Sequence, residues 1–179
     1  MGRIKKPLPA KLIVSAIYSH PEAVASAIIH LEKKFGRIEL ETEELDFTHT
    51  DYYQEEMGEN LKRKFFAFER LVPRDRLAEI KSWTNELEAK FGDKVGDFVF
   101  RTVNLDPGLL TLAGLTLAST KDFAHRIYLS DGIYAEKTLI YQNKVFTTLP
   151  WTYADYRETR VLEFLSQIRE TMKRMEFED

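Results

Sequence analysis

The sequence predicts an α+β fold in which a β-α-β unit occurs twice within residues 11–105. Each unit begins with residues that suit a buried strand and continues with a proline and an amphipathic helix. The two predicted helices also end alike, with LEKKFG at residues 31–36 and LEAKFG at residues 87–92. These endings favour a duplicated architecture, although Leu-x-x-x-Phe-Gly also suits the end of any amphipathic helix.

The first unit covers residues 11–47. Its opening segment, KLIVSAIY, has the composition of a buried strand. Pro21 stands at a favourable first helical position, because its missing N–H needs no partner there. Apolar residues then recur at helical spacing up to Phe35, and Gly36 ends the helix. The apolar residues of 38–47 flank an acidic stretch and predict a second, bulged strand.

The second unit repeats this order. Residues 64–72 (KFFAFERLV) predict a third strand, and Pro73 opens a helix that Gly92 ends. Residues 98–105 predict the fourth strand. Two such units are typical of a ferredoxin-like split βαβ sheet with both helices on one face. The sequence therefore predicts a ferredoxin-like core over residues 11–105.

Residues 106–179 predict an elaboration of this core. Nearly every position from 109 to 118 is apolar, which predicts a short buried helix that begins at Pro107. Apolar residues at helical spacing from Val161 to Met175 predict a C-terminal amphipathic helix. No linker or low-complexity tract interrupts the chain, so we expect one domain over residues 1–179.

A hairpin is predicted between these two helices. Asp131 and Gly132 form a favoured pair for a two-residue turn. The strand that follows covers residues 133–141, and a turn at Asn143 returns the chain through residues 145–149.

Composition places the chain among ordinary globular proteins. Its 179 residues are 44% hydrophobic and 31% charged, and the net charge is −3. This charge provides no global attraction for nucleic acid, which is not an expected partner. The absence of cysteine excludes disulfides, thiolate metal sites and cysteine nucleophiles. The apolar run near the N-terminus is too short to span a membrane and lacks a signal-peptide cleavage site, so we expect a cytoplasmic protein without membrane partners.

His125 and Glu136 are the candidate catalytic pair. If Ser130 pairs with Ile133 across the predicted turn, His125 lies opposite Thr138 and becomes a diagonal neighbour of Glu136. The residue after His125 then points to the other face, and a one-residue change of register reverses both assignments. A carboxylate beside a histidine can orient a general base. The alternative is an edge-strand histidine beside a solvated glutamate.

Other polar and aromatic residues form a candidate site for an anionic small molecule, such as a nucleotide or a phosphorylated metabolite. Asp106 either caps the predicted buried helix or, in a cleft, marks an anion site at the N-terminus of that helix. Lysine and arginine side chains would neutralise the ligand, and aromatic side chains would line the pocket. The candidates are Arg70, Asn104, Asp106, Lys121, Arg126, Tyr52, Tyr134, Trp151 and Asp155. For Tyr52, the alternative is an ordinary loop with its tyrosines packed on the core. For Trp151, the favoured alternative is an aromatic clamp that fixes the entry to the last helix.

The sequence identifies no cofactor and does not decide whether the protein is an enzyme. No metal site is predicted, because His20, His30 and His49 lack ligand spacing to one another. The alternative function is a non-catalytic module that dimerises or docks a protein through its sheet. In that case the polar cluster would only hold the hairpin in place.

Several segments carry a resemblance to a known family. FAFERL, VNLDPG, LASTKD, HRIYLSDGIYAE, TLIY and LPWTYADY are similar to segments of the uncharacterised prokaryotic family catalogued as domain of unknown function 4416. A proline usually stands in that family where this chain has Ala154. The resemblance covers nearly the whole chain and implies a single-domain protein without an established activity. Members often bear an automatic "GTP-binding" label, but this chain has no GxxxxGK[ST] segment, which excludes a P-loop GTPase.

Overall fold

A computed structural model describes residues 2–95 and 98–175 as an α+β structure with one large antiparallel sheet and four helices. The strands are β1 (Ala10–Tyr18), β2 (Ile38–Glu41), β3 (Leu45–Asp46), β4 (Lys62–Val72), β5 (Asp93–Val95), β6 (Phe98–Phe100), β7 (Val103–Thr111), β8 (Gly114–Ser119), β9 (Arg126–Ser130), β10 (Ile133–Gln142) and β11 (Val145–Thr148). The helices are α1 (Pro21–Phe35), α2 (Gln54–Met57), α3 (Leu77–Lys90) and α4 (Thr159–Lys173), with short 3-10 turns at Arg74–Arg76 and Ala154–Arg157.

The large sheet has the order β11-β10-β8-β7-β1-β4-β2, with β3 beside β4 and β9 beside β10. Strand β1 lies between β4 and β7 and pairs antiparallel with both. All nine residues of β1 are buried. A strand covered on both faces is apolar at nearly every position, which is why KLIVSAIY predicts it well. Strands β5 and β6 form a separate two-stranded ladder.

Two hydrophobic cores lie on opposite faces of the sheet. Leu12 and Phe66 belong to the core that includes buried residues of α1 and α3. Ile13 and Phe65 belong to the core beneath α4. This alternation follows from the period of two in a strand, which sends neighbouring side chains to opposite faces.

The predicted helices α1 and α3 are confirmed. Helix α1 begins at Pro21, and Gly36 follows its end with a positive φ of 93°. The second predicted strand is divided into β2 and β3, which both pair with β4. Between them, the Thr42 hydroxyl accepts the N–H of Phe65 at 3.1 Å. The Thr42 side chain thus accepts a backbone N–H that regular strand pairing would give to a carbonyl, and β2 ends at the preceding residue.

The short helix predicted for residues 109–118 is wrong. Most of these residues belong to β7 and β8, which form a hairpin across a turn at Leu112 and Ala113. Leu110 belongs to the core beneath α4, whereas Leu109 belongs to the core on the other face. Both strands are covered on both faces, so their sequence lacks the polar alternation of a half-exposed strand. Periodicity alone cannot distinguish such a run from a buried helix.

The later hairpins and the C-terminal helix α4 are confirmed. Asp131 and Gly132 connect β9 to β10 with φ values of 52° and 76°. Asn143 and Lys144 connect β10 to β11 with φ values of 50° and 66°. Positive φ at both turn residues matches the right-handed twist of the flanking strands. The predicted fourth strand is divided into β6 and β7.

Within the described ranges, no helix is long and apolar enough to cross a membrane.

Candidate functional site

The candidate site lies where the sheet opens between β7 and β8. The two strands pair only over residues 108–111 of β7, so its first half has β1 on one edge and no described strand on the other. Successive residues of a strand direct their backbone groups to opposite edges, so Leu105 and Pro107 share the open edge. Proline is tolerated there because it has no N–H to leave unpaired.

Two side chains of α3 bond the open edge in place of a strand. A Glu88 carboxylate oxygen accepts the Leu105 N–H at 2.7 Å, and the Lys81 ammonium donates to the Leu105 carbonyl at 2.9 Å. Lys81 also donates to Asp106 at 3.3 Å, and Glu88 accepts from Arg101 at 2.6 Å. Burial raises the pKa of Glu88, against the opposing effect of the two cations. These contacts fix α3 against β7.

A cavity of about 590 Å³ lies beside this edge. Side chains of β4, β7, β8, β10 and α3 line it, together with the loop before α2 and the segment before α4. The volume is within the range of roughly 300–1,000 Å³ that small-molecule sites occupy.

Arg63 of β4 lies at the floor of the cavity. Its Nε donates to Ser15 Oγ at 2.7 Å, its Nη1 pairs with Asp155, and its Nη2 donates to Tyr156 Oη at 3.4 Å. Burial opposes the charge of Arg63, but Asp155, Tyr156, Asp106 and Tyr53 together outweigh burial, and the pKa of the guanidinium is raised. Arg63 therefore stays charged and joins β4 to the segment before α4.

Arg101 belongs to a charged row along the cavity that also includes Lys81, Glu88 and Asp106. Its Nη2 donates to Glu56 at 2.7 Å, and its Nη1 donates to Asn104 Oδ1 at 2.9 Å. The side-chain amide of Asn104 donates in turn to Asp106 at 2.8 Å. The hydrogen bond from Arg101 is the main cause that lowers the pKa of Glu56. Each charge in this row thus has a neighbour of opposite sign.

Arg126 and Glu136 form a second polar cluster, on the β9–β10 hairpin. Arg126 Nε donates to Glu136 at 2.8 Å, Nη1 donates to Ser119 Oγ at 2.7 Å, and Nη2 donates to Tyr153 Oη at 2.7 Å. Nη1 also donates to the carbonyl of Lys121 at 2.9 Å. The two charged side chains are almost fully buried. The protein itself therefore uses the hydrogen-bonding groups of Arg126.

The predicted register of this hairpin is wrong by one residue. The residues that flank the turn pair as predicted, but Leu129 then bulges out of the ladder. Arg126 therefore lies opposite Glu136, where the prediction put Ile127. A bulge adds one residue to one strand, which exchanges the faces of all residues beyond it. His125 Nε2 nevertheless lies 3.0 Å from a Glu136 oxygen.

The cavity brings together most of the predicted site residues. The predicted residues that line it are Tyr52, Asn104, Asp106, Lys121, Arg126, Glu136 and Asp155. Asp106 caps no helix because it lies within β7, so the predicted helix cap and the anion site at a helix N-terminus are both wrong.

Four predicted residues lie outside the cavity lining. His125 touches Glu136, and Trp151 stacks on the His125 ring with centroids 4.9 Å apart. The ring of Tyr134 meets that of Tyr128, with centroids 5.4 Å apart. Arg70 is exposed near the other end of β4 from Arg63.

Sequence reasoning missed several residues that build the site. They are Arg63, Lys81, Glu88 and Arg101. The α3 pair had a recognisable signal, because Leu77, Lys81, Thr84 and Glu88 follow helical spacing and are all buried. Arg63 and Arg101 had no such signal, since their partners come from distant segments.

The mouth of the cavity carries Lys121 and Tyr52. The Lys121 ammonium lies 4.1 Å from the centroid of the Tyr52 ring, a cation–π contact. In the part of the chain that the structure describes, no carboxylate pairs with this ammonium. Tyr52 is 63% exposed and meets Tyr53 edge to face, with centroids 5.0 Å apart.

The comparison with protein-family models agrees with the resemblance carried by the sequence. Neither the curated proteins nor the solved structures contain a match to this chain. Among the described residues, no group of three His, Cys, Asp or Glu side chains is arranged to hold a metal ion. The family model described as Domain of unknown function (DUF4416) matches residues 8–172, nearly the whole chain. The chain therefore belongs to the DUF4416 family.

Proposed function

We propose that this protein binds an anionic small molecule, such as a nucleotide or a phosphorylated metabolite, in the cavity beside β7. The observation that carries this proposal is the ammonium of Lys121, which stands at the mouth without a carboxylate partner among the described residues. Five cationic side chains line the cavity, against four carboxylates. The cations are Arg63, Lys81, Arg101, Lys121 and Arg126, and the carboxylates are Glu88, Asp106, Glu136 and Asp155.

Aromatic side chains support the same proposal. Phe47, Tyr52, Tyr53, Tyr153 and Tyr156 share the lining with the charged groups. Apolar and aromatic walls with a few placed polar groups are typical of small-molecule sites. Aromatic rings also offer a flat surface for a nucleobase or a sugar.

For a catalytic activity, His125 is the candidate general base and Glu136 its orienting partner. Their contact at 3.0 Å supports that assignment. Two observations favour simple binding instead. His125 is not part of the cavity lining, and Glu136 also accepts from Arg126.

The test is a thermal-shift and calorimetric screen of AMP, GMP, ribose 5-phosphate and inorganic phosphate. A ligand that binds only the folded protein raises Tm with concentration. Lys121→Ala should weaken a phosphorylated ligand by roughly tenfold or more, since a charge-assisted hydrogen bond contributes about 1.5–3 kcal/mol. Lys33→Ala, an exposed lysine on α1, is the matched control and should not change affinity. No binding of any phosphorylated probe would refute the proposal.

We further propose that residues 11–105 form a ferredoxin-like core within one domain of residues 1–179. The order β7-β1-β4-β2 and the connecting helices α1 and α3 support this assignment. A single cooperative unfolding transition by calorimetry and by circular dichroism is the expected behaviour of one domain. Two separate transitions would contradict it.

A second candidate function is dimerisation through strand β9. Among the described strands, β9 pairs with β10 alone, so its other edge is open. Ile127, Tyr128 and Leu129 are 72%, 58% and 41% exposed, and no charged residue lies among them. Uncharged apolar edges favour pairing with another strand.

The occupant that fits this edge is a second copy of the chain. An antiparallel β9 pair centred on Tyr128 repeats the same uncharged segment on both sides, without like-charge repulsion. Sedimentation should show twice the 20.9 kDa mass for the wild type and for Ile29→Lys on α1, which has a similarly exposed isoleucine. Ile127→Lys should be monomeric, and a monomeric wild type at every concentration would refute the dimer.

A further inference from the structure

Most charged groups in the cavity already form hydrogen bonds or ion pairs with other groups of the protein. Arg126 donates to Glu136, Ser119, Tyr153 and the Lys121 carbonyl. A guanidinium has five N–H groups, so these bonds leave it little capacity for a ligand.

Lys81 and Arg101 also donate their hydrogen bonds to groups within the protein. The Lys81 ammonium donates to the Leu105 carbonyl and to Asp106, with Glu88 3.9 Å away. Arg101 directs its donors to Glu56, Glu88 and Asn104. These cations hold the strands and helix together, which leaves Lys121 as the cation placed to meet an incoming anion.

The carboxylates of the cavity lining differ in exposure and in how many hydrogen bonds they already accept from the protein. Glu88 and Glu136 are 3% and 2% exposed and accept several hydrogen bonds each. Asp155 is 7% exposed and pairs with Arg63. Asp106 is 25% exposed, and each of its two oxygens accepts one hydrogen bond, from Lys81 and from Asn104. Arg63 Nη2 lies 3.8 Å from the second of these oxygens. A carboxylate has about four lone-pair sites, so Asp106 keeps acceptor capacity toward the cavity.

Tyr53 adds a second polar group to the cavity lining that contains Asp106. Its ring is packed between Phe47 and Tyr52. Burial, followed by the charge of Asp106, raises the pKa of the Tyr53 phenol, so the hydroxyl stays protonated. A cavity wall that holds both a neutral hydroxyl and a carboxylate suits hydroxyl or amino groups rather than a second anion.

We infer that the ligand of this cavity has two ends of different chemistry: an anionic group against Lys121 at the mouth, and hydroxyl or amino donors against Asp106 and Tyr53 within. This inference rests on the proposed function and narrows it to sugar phosphates and nucleotides. It excludes ligands that are anionic at both ends, because a second anion would face the Asp106 carboxylate.

The test uses matched probes in NMR titrations, which measure weak affinities as well as strong ones. The pairs are AMP with adenosine and ribose 5-phosphate with ribose. Lys121→Ala should weaken the phosphorylated member of each pair by roughly tenfold and leave its partner within about twofold. Asp106→Asn should weaken both members of a pair by a similar factor, because the donor end is common to both. A larger effect of Asp106→Asn on AMP than on ribose 5-phosphate would identify the amino group of the base as the donor.

A second variant guards against loss of folding in Asp106→Asn. Tyr53→Phe removes only the hydroxyl and keeps the packed ring, so it should preserve Tm and weaken both members of a pair. Equal weakening of both members by Lys121→Ala, or unchanged affinities in Asp106→Asn and Tyr53→Phe, would overturn the inference while the proposed function stands. Failure of AMP and ribose 5-phosphate to bind the wild type would refute the proposed function and, with it, the inference.

Discussion

Replacement of Glu88 by alanine is expected to lower the free energy of unfolding by about 3 kcal/mol. The carboxylate is 3% exposed and accepts from the Leu105 N–H and from Arg101. Loss of a buried acceptor leaves the N–H unpaired, at about 1–3 kcal/mol. Removal of one member of a buried ion pair costs about 3–5 kcal/mol. The lower end applies because Arg101 keeps Glu56 and Lys81 keeps Asp106.

The measurement is urea denaturation, with far-UV circular dichroism as the readout of unfolding. In a chain of this size, a change of about 3 kcal/mol corresponds to roughly 6–12 °C in Tm. Glu88→Gln should lose less than Glu88→Ala, because its amide oxygen can still accept the Leu105 N–H. Glu86→Ala is the control, an exposed residue on the same helix that should change stability by less than about 0.5 kcal/mol. A loss below about 1 kcal/mol in Glu88→Ala, or equal losses at both positions, would refute the role of α3 as partner of the open edge.

Two further predictions concern a glycine and an acid. Gly114→Ala should destabilise by more than about 2 kcal/mol in the same denaturation assay, because φ is 141° and a Cβ would lie 2.2 Å from the Leu139 carbonyl oxygen. Gly132→Ala, with φ 76° and open space at the Cβ, should lose less, and the reverse order would contradict the steric argument. The lowered pKa of Glu56 means that its bond with Arg101 stabilises fully above the ordinary value of 4.5 and is lost as pH falls through the lower folded-state pKa. The stability difference between wild type and Glu56→Gln should therefore be constant near neutral pH and shrink below pH 4.5; a difference that grows on acidification would be inconsistent with this linkage.

The elements that the sequence predicted correctly are those with a local signal. Helix α1 combines Pro21 at its start, apolar spacing along its length and Gly36 at its end. The β9–β10 turn combines Asp131 and Gly132, which tolerate positive φ. The predicted register of the β9–β10 hairpin is wrong because nothing in the local sequence indicates that Leu129 bulges. The β7–β8 hairpin was not predicted because burial on both faces removes the polar–apolar alternation that identifies a strand.

The residues of the candidate site likewise fall into those with a local sequence signal and those without one. Residues from Asn104 to Glu136 were found because they are close in sequence and rich in polar types. Arg63 and Glu88 come from β4 and α3, and tertiary contacts alone bring them to the cavity. The sequence also could not separate occupied cations from available ones. Arg126 was expected to bind a ligand, yet Glu136, Ser119 and Tyr153 take its hydrogen bonds.

The open edge of β7 explains why structural and available charges coexist in one cavity. A strand without a neighbour leaves backbone groups that need partners, and Lys81 and Glu88 supply them from α3. Those buried charges need counterions, which Asp106 and Arg101 provide. The charged row thus follows from the divergence of β7 and β8, whatever the cavity binds. Substitutions in the row should therefore change stability first, whereas Lys121, outside the row, should change binding at nearly constant stability.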